Sequence, residues 1–438
     1  MCESGESELG SEVSVLITLY SHTLYTHTLY SGTFQEMHIL FLHQNFPGQF
    51  GALMRRLLTV TDWKISFCHR GGTETIPGVE CIRYKNEGGA TKNTHFYTRG
   101  FENIAHQSSA AAEVLAARPD IRPDLIVAHS GFVSAVPLQE LYGCPIVAYL
   151  EYFYHPVGAD MDFRPDQTPN AEERTRARFR NAPLLLDLDA ATLGLSPTHW
   201  QRDRFPTYLR DKIEVNFDGI DTSIWHRRPA VRPRQVGRVV VPDDIELVTY
   251  AARGFEAMRG FDIFMRFAKA LYQRRPKVRF LVAGSDRVCY GGDLNRTGGK
   301  TFKEWVMAQD SYDLSKFVFL KPMPPEHLAE LFSISDLHVY LTVPFVLSWS
   351  LLNAMACGAT LLASNTPPVQ EVIEHERHGL LTDFFDVDGM VRNAERVLND
   401  PIAHRHLGEA ATQRIQERYT LDVTVPKHIE LFSRAASR

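Results

Sequence analysis

ELVTYAARGFEAMRGFDIFMRFAKAL, residues 246–271, contains a strand signal, a glycine turn and a helix signal in immediate succession. Glu246–Ala252 is the candidate strand, and two arginines and two glycines follow it. The residues after the turn place apolar side chains on one helical stripe, which predicts an amphipathic helix that covers a sheet. The stripe consists of Phe261, Phe264, Met265, Ala268 and Leu271.

The same alternation of strand and helix signals recurs on both sides of this unit. It predicts an α/β protein with parallel sheets, because near-continuous apolar runs are typical of parallel strands covered on both faces. The other strand candidates are His38–His43, Lys64–Cys68, Leu125–His129, Ile146–Leu150, Val278–Ala283, Phe317–Leu320, Leu337–Leu341 and Thr360–Ala363.

The chain has 438 residues, which is too long for one hydrophobic core and predicts two domains. The segment 227–244, rich in proline and arginine, is interpreted as a linker between an N-terminal domain (37–226) and a C-terminal domain (245–400). Helices in 401–438 are expected to pack back toward the N-terminal domain. Residues 1–36 carry the repeat SHTLY-THTLY and no core pattern, so we expect a disordered or non-native extension.

Composition excludes several classes of function. The formal net charge of −5 argues against a nucleic-acid partner, which would favour a basic excess. The cysteines are scattered without metal-ligand spacing, which is typical of reduced thiols in the cytoplasm. No run approaches the roughly 18 apolar residues of a membrane span. The arginine-rich segment 171–180 is either a solvated helix face or a peripheral contact with the inner face of an anionic membrane.

Ligands of open α/β sheets bind beyond the carboxyl ends of the strands. Gly48, in the loop after the first strand, would let the backbone approach a ligand closely, although a plain tight turn is an equal alternative. Arg253 and Arg259 flank the glycine turn of the second half, where two guanidinium groups suit a diphosphate. The alternative for both arginines is a solvated surface position.

Two further loops carry candidate ligand-binding residues. Ser348, Trp349 and Ser350 open a helix whose free N–H groups favour an anion, and Asn353 lies near the same helix start. Glu371 is expected in the first turn of a short helix that begins with prolines. The alternatives are ordinary helix capping for the serines and a helix-dipole partner for Glu371.

These loops, in this order, resemble members of glycosyltransferase family 4, which have the GT-B fold. That resemblance implies two Rossmann-like doubly wound domains that face each other across a cleft, and it covers about residues 37–420. It rests on a joint set of motifs rather than on one of them. The set consists of MHILFLHQNFPGQF (37–50), DGID (218–221), Arg253 with Arg259-Gly260, NAMACG (353–358) and the segment from Glu371 to Leu381.

The resemblance implies retaining sugar transfer, with the nucleotide-sugar donor bound mainly by the C-terminal domain and the acceptor mainly by the N-terminal one. Arg253 matches the family's phosphate arginine, and Arg259 occupies the place where a lysine is more usual. The family's paired glutamates would fall on Phe345 and Asn353, neither of which is acidic. Asn353 can still hydrogen-bond a ribose hydroxyl.

Many family members carry a histidine where this chain has Glu151. Glu151 or His155 could orient or deprotonate the acceptor hydroxyl; for His155, a loop histidine with a structural partner is the alternative. Arginines and a helix end can neutralise a diphosphate, so neither a metal nor another cofactor is expected.

We therefore expect a retaining glycosyltransferase of glycan, polysaccharide or glycolipid synthesis. Its partners would be a nucleotide-sugar donor and a glycan, lipid-linked or small-molecule acceptor. The missing acidic pair motivates a second hypothesis, a catalytically weak nucleotide-sugar-binding protein or partner subunit. A nucleotide-sugar epimerase on the same fold is a third, less favoured by the order of the motifs.

Overall fold

Each half of the chain folds around a parallel sheet, which confirms the α/β prediction. The computed structural model describes residues 36–229 and 233–438, so the extension predicted over residues 1–36 lies outside the described part except for its last residue. The strands of the first sheet are β1 (His38–Leu42), β2 (Lys64–His69), β3 (Val79–Arg83), β4 (Leu125–His129), β5 (Ile146–Tyr149), β6 (Leu193–Ser196) and β7 (Ile213–Val215).

The second half repeats the arrangement. A short hairpin of β8 (Arg234–Val236) and β9 (Val239–Val241) precedes the second sheet. The strands of that sheet are β10 (Glu246–Gly254), β11 (Val278–Ser285), β12 (Phe317–Leu320), β13 (Leu337–Tyr340), β14 (Leu361–Ser364) and β15 (Leu380–Thr382). Each strand predicted from the sequence is present, with ends that differ by no more than two residues.

Both sheets share one topology. The first has the order β3-β2-β1-β4-β5-β6-β7 and the second β12-β11-β10-β13-β14-β15, with parallel pairing throughout. In each sheet the chain order reverses once, between β1 and β4 and between β10 and β13. Ligands of doubly wound sheets bind at the carboxyl ends beside this reversal.

Helices cover both faces of each sheet. Those of the N-terminal half are α1 (Gly51–Val60), α2 (Arg99–Ala116), α3 (Val136–Tyr142), α4 (Asp160–Phe163), α5 (Ala171–Phe179), α6 (Ala182–Ala190) and α7 (His199–Arg202). Those of the C-terminal half are α8 (Phe261–Arg274), α9 (Asp293–Arg296), α10 (Phe302–Gln309), α11 (Pro325–Ile334), α12 (Trp349–Ala356), α13 (Pro367–Gln370), α14 (Val387–Asn399), α15 (Arg405–Arg418) and α16 (Leu421–Ala436). The predicted apolar stripe of α8 is completely buried.

The segment 227–244, interpreted from its prolines as a linker, contains a hairpin that packs on the C-terminal domain. Its hairpin of β8 and β9 turns at Gly237, which has φ +52°, and Val236 and Val241 are buried. Arg234 forms an ion pair with Asp336 at 2.8 Å. Valines on both sides of a glycine turn form a hairpin here, a signal that the proline content concealed.

The C-terminal helices divide between the two domains. Helix α15 packs against α12 of the C-terminal domain, whereas α16 packs on α1 and on strands β4 and β5. Only the second helix therefore returns to the N-terminal domain. The chain crosses between the domains twice, and the two crossings are hydrogen-bonded to each other: Ile220 N donates to Tyr419 O (2.7 Å) and Leu421 N to Ile220 O (3.0 Å).

Gly219 allows these crossings to lie close together, and the Gly219→Ala variant tests this. Gly219 has φ +101°, and a Cβ atom there would lie 2.5 Å from Leu421 Cδ2 and 2.6 Å from Thr424 Oγ1. Strain and the steric clash together should lower the free energy of unfolding by about 2 kcal/mol. Denaturant titration measures the change. Gly100→Ala, in a helix where a Cβ atom meets nothing within 4 Å, is the control and should show no loss.

Candidate functional site

The candidate site lies where the two domains face each other, and Arg253 links its two sides. The Arg253 side chain is largely exposed, and its partial burial tends to lower the pKa of the guanidinium. The Tyr290 hydroxyl and, more weakly, Glu151 of the other domain outweigh this effect and raise the pKa. In turn, burial, His129 and Arg253 lower the pKa of His43 to about 3. Arg253 therefore points into the space between the domains.

A β-bulge sets the direction of Arg253. Ala251 pairs with Ala283 and Gly254 pairs with Ser285, so β10 contains one residue more than its partner between these two pairs. Bulges of this kind commonly redirect a side chain near a site. The following Gly254 is required because a Cβ atom there would lie 2.4 Å from the carbonyl oxygen of Arg287.

Arg259 is the buried cation of the site. Only 6% of its surface is exposed, and its guanidinium donates to Thr342 Oγ1 (2.8 Å) and to the carbonyl oxygen of Val346 (3.3 Å). It also lies over the ring of Tyr290, 5.4 Å from the centroid. In the described part of the chain, no carboxylate oxygen lies within 4.0 Å of this guanidinium. A buried cation with only neutral partners favours the binding of an anion.

The start of α12 offers further anion-binding groups. Ser348 caps the helix, and its hydroxyl accepts from Ser350 N at 3.3 Å. The indole Nε1 of Trp349 donates to Asp218 Oδ2 at 3.1 Å, which ties this helix start to the other domain. Asn353 is 7% exposed, and among the described residues its side-chain amide has no hydrogen-bond partner. That amide is free to bind a ligand.

Phe345 belongs to an aromatic wall that joins the domains. Its ring centroid lies 4.7 Å from that of Tyr152 in the N-terminal domain and 5.4 Å from that of Tyr290. The Tyr152 hydroxyl donates to Asp160 Oδ1 at 2.6 Å. Nearby Asp162 accepts from the backbone N–H groups of its own loop, so both carboxylates of this segment have partners within the N-terminal domain.

The N-terminal side presents a cluster at the ends of β1, β4 and β5. The rings of His43 and His129 lie 5.0 Å apart, and His129 Nε2 lies 3.5 Å from Glu151 Oε2. Glu151 is half-exposed while His129 is 2% exposed. Burial raises the pKa of nearby Asp187 to about 6. The sequence analysis missed both histidines, although each ends a predicted strand on the side where ligands bind.

Gly48 is half-buried and packs against this cluster, and a close approach of its backbone to a ligand stays a prediction. Its φ is +57°, and a Cβ atom there would lie 2.9 Å from His43 Nδ1. The absence of a side chain at Gly48 therefore makes room for the His43 ring.

Two predicted site residues have structural partners. His155 Nε2 lies 2.6 Å from the carbonyl oxygen of Arg204, so that nitrogen carries a proton and cannot accept one from a substrate. Glu371 follows α13 instead of lying in its first turn, and its carboxylate accepts from the backbone N–H groups of His199 (2.8 Å) and Trp200 (2.7 Å). Glu371 thus caps α7 of the other domain, and a direct ligand contact stays a prediction.

Three arginines in and directly after α5 contact other residues of the N-terminal domain. Arg180 lies over the ring of Tyr154 at 3.6 Å and Arg176 over Phe96 at 4.4 Å, while Arg174 donates to the carbonyl oxygen of Pro169. Among the described residues, no helix has the length and apolar content to cross a bilayer.

Two doubly wound domains that face each other across a cleft are the architecture of the GT-B glycosyltransferases. The chain belongs to the glycosyltransferases of the family 4 group. Residues 61–225 match the family model described as "Glycosyl transferase family 4 group", and residues 232–414 match "Glycosyl transferases group 1". The predicted family and enzyme class are confirmed.

Curated relatives carry the same class of activity. The chain is 24% identical over 304 residues to a D-inositol 3-phosphate glycosyltransferase of Pseudarthrobacter chlorophenolicus, covering 68% of each chain. It is 30% identical over 107 residues to the N-acetyl-alpha-D-glucosaminyl L-malate synthase of Bacillus anthracis, which covers 24% of this chain and 28% of that enzyme.

Solved structures show the same fold. The sucrose-phosphate synthase of Thermosynechococcus elongatus aligns with a TM-score of 0.67 and 17% identity, over 92% of this chain and 99% of that one. Anabaena HepE, solved in complex with UDP-glucose, aligns with a TM-score of 0.60 and 15% identity, over 90% and 98%. The predicted GT-B fold is confirmed.

Glu256 provides a pH-dependent test of the site. This carboxyl is fully buried and accepts from the backbone N–H of Tyr290 at 2.9 Å. Burial raises its pKa from 4.5 to about 7, opposed by these backbone bonds and by Arg259. Between these values the folded state binds the proton more tightly than the unfolded chain, so Glu256 destabilises the fold increasingly as pH rises from 4.5 to 7.

We expect the Glu256→Gln variant to remove this dependence. The difference in unfolding free energy, variant minus wild type, should grow with pH in that window by at most about 1.4 kcal/mol per pH unit and level off above pH 7. Chemical denaturation at pH 5, 6, 7 and 8 measures it. A difference independent of pH would contradict the raised pKa.

Proposed function

We propose that the protein is a retaining glycosyltransferase that moves a sugar from a nucleotide-diphosphate donor to a hydroxyl group of an acceptor. The observation that carries the proposal is the buried guanidinium of Arg259, which has no carboxylate partner among the described residues and shares its neighbour Tyr290 with Arg253 at the chain reversal of the second sheet. A diphosphate would supply the missing negative charge. HepE, which has the same fold, was solved with UDP-glucose.

The chemistry follows from where charge develops. As the bond between the anomeric carbon and the diphosphate oxygen breaks, the electron pair stays on the leaving phosphate. Arg253, Arg259 and the N–H groups at the start of α12 are fixed donors for that charge, and pre-placed donors lower such barriers. We propose that the reaction needs no metal, because these groups perform the neutralisation that a cation would otherwise supply.

The acceptor would bind at the cluster of the N-terminal domain. Glu151 is half-exposed there and its carboxylate is an acceptor of hydrogen bonds, so it can orient the attacking hydroxyl and take up its proton. His129 lies behind it and can stabilise the carboxylate. His155 is the weaker candidate because its Nε2 is already bonded.

A second candidate function is a catalytically weak nucleotide-sugar-binding protein or partner subunit. It is favoured by Phe345 and Asn353, which stand where the family has glutamates. The acceptor class stays a proposal as well: glycan, lipid-linked or small-molecule. If a lipid-linked acceptor is used, α5 is the surface for a peripheral contact at the cytoplasmic face of a membrane, and vesicle cosedimentation with a salt titration tests it.

Arg253→Ala tests the diphosphate site. The exposed side chain has no role in the core, so the fold should survive, while kcat/KM for transfer should fall about 100-fold because a donor to the leaving group is lost. Steady-state nucleotide release in the presence of acceptor measures the effect. Arg279→Ala, at the opposite end of the same sheet where the guanidinium bonds to Pro276 O, is the control. Near-normal transfer by the first variant would refute the role of Arg253.

A donor panel tests the class and the stereochemistry together. A sugar nucleotide that binds only the folded protein raises its melting temperature, by an amount that increases with concentration. The donor found in this way is then incubated with an acceptor panel, and the anomeric configuration of the product is determined by NMR. We expect the configuration of the donor to be retained. Donor binding without transfer to any acceptor would favour the second candidate function.

A further inference from the structure

Asp218 lies at the point where the chain leaves the N-terminal domain. It is 6% exposed, and two side chains from opposite domains donate to its carboxylate. The hydroxyl of Tyr149, at the end of β5, is 2.8 Å from Oδ1. The indole Nε1 of Trp349, the first residue of α12, is 3.1 Å from Oδ2.

The neighbours of Asp218 in the chain place it in the hinge segment that connects the two domains. The next residue, Gly219, lies against α16, and Ile220 forms the backbone bridge to the second crossing of the chain. Asn216, just before it, donates to the carbonyl oxygen of Thr424 at 2.9 Å. Asp218 is thus anchored by backbone on one side and extends its carboxylate into the cleft.

The two partners of Asp218 belong to opposite halves of the site. The ring of Tyr149 lies 5.1 Å from that of His129 in the acceptor-side cluster. Trp349 starts the helix whose N–H groups and Asn353 are the proposed donor-binding groups. Under the proposed function, the donor and the acceptor bind to these two halves. We propose that Asp218 is a positioning residue that holds the donor-binding start of α12 in place against the acceptor-side cluster.

Burying a carboxylate is energetically unfavourable, even when it accepts two hydrogen bonds. Burial raises the pKa of Asp218 to about 7, although its two donors oppose the shift. An asparagine could make both bonds, since its oxygen can accept from the indole and its N–H can donate to the tyrosine hydroxyl. This makes Asp218→Asn a matched control that keeps the connection and removes the charge.

The experiment compares Asp218→Ala, Trp349→Phe and Asp218→Asn in the full chain. The first two break the connection, so KM for the donor should rise about ten-fold, which corresponds to roughly 1.4 kcal/mol, while KM for the acceptor stays within two-fold. Asp218→Asn should stay close to the wild type. The double variant Asp218→Ala/Trp349→Phe should be no worse than the single ones, because both remove the same bond.

A second measurement does not depend on activity. Small-angle scattering of the ligand-free protein should show a larger radius of gyration for Asp218→Ala and Trp349→Phe than for Asp218→Asn and the wild type. Trp349 is 41% exposed, so Trp349→Phe should fold even if Asp218→Ala does not.

An unchanged donor KM and an unchanged radius, or an asparagine variant as impaired as the alanine one, would overturn the inference. A wild type that binds no sugar nucleotide would instead overturn the proposed function, and the scattering comparison would still decide the role of Asp218.

Discussion

Arg259 carries a positive charge into a part of the C-terminal domain where 6% of its surface meets solvent. Its partners are a threonine hydroxyl, a carbonyl oxygen and aromatic rings, which satisfy the hydrogen-bond donors but not the charge. Removing one charge from water costs several kcal/mol unless an opposite charge compensates. The neighbouring elements are arranged so that this compensation can come from a ligand: the bulge directs Arg253 to the cleft and α12 begins beside it. Under the proposed function, a diphosphate would supply the negative charge opposite the buried arginine.

Other ionisable groups around the cleft are also buried, which disfavours their charged forms. Burial raises the pKa of Glu256 and Asp218 to about 7 and that of Asp187 to about 6. Each shift lowers the stability of the fold at neutral pH by about 1.4 kcal/mol per pKa unit. The large apolar core around α8 and the second sheet can offset such costs, since one buried phenylalanine contributes roughly 1.5–3 kcal/mol. Among the described residues, the carboxyl groups with a raised pKa are Asp160, Asp187, Asp218 and Glu256, and such a grouping around one cleft is typical of a functional site.

A feature could be predicted from the sequence where the residues that form it lie close together in the chain. The strands and α8 were predictable because burial on both faces leaves an apolar run or stripe in the sequence. Arg253 and Arg259 were identified as candidate site residues because they follow a strand, and their contact with a diphosphate stays a prediction. The contacts of Glu371 were not predictable, because its partners, the N–H groups of His199 and Trp200, belong to the other domain and no spacing relates them.

His43 was missed for a different reason: as part of an apolar strand it was counted as core, although the last residue of such a run already faces the site. The hairpin within 227–244 was missed because prolines outweighed its valines.

Phe345 shows how the departure from the family's acidic residues fits the structure. A carboxylate at this position would add a negative charge near the Arg259 guanidinium. The aromatic ring instead leaves the guanidinium unpaired, since its centroid is 6.0 Å from Arg259 Cζ, where a cation–π contact is weak compared with an ion pair. The ring also packs on Tyr152 of the N-terminal domain, so that apolar contact, rather than charge, joins the domains here. Because a phenyl ring offers a donor sugar a flat apolar face and no hydrogen-bond acceptor, the proposed function requires other side chains to recognise the hydroxyl groups of that sugar, and the amide of Asn353, which has no partner among the described residues, is a candidate.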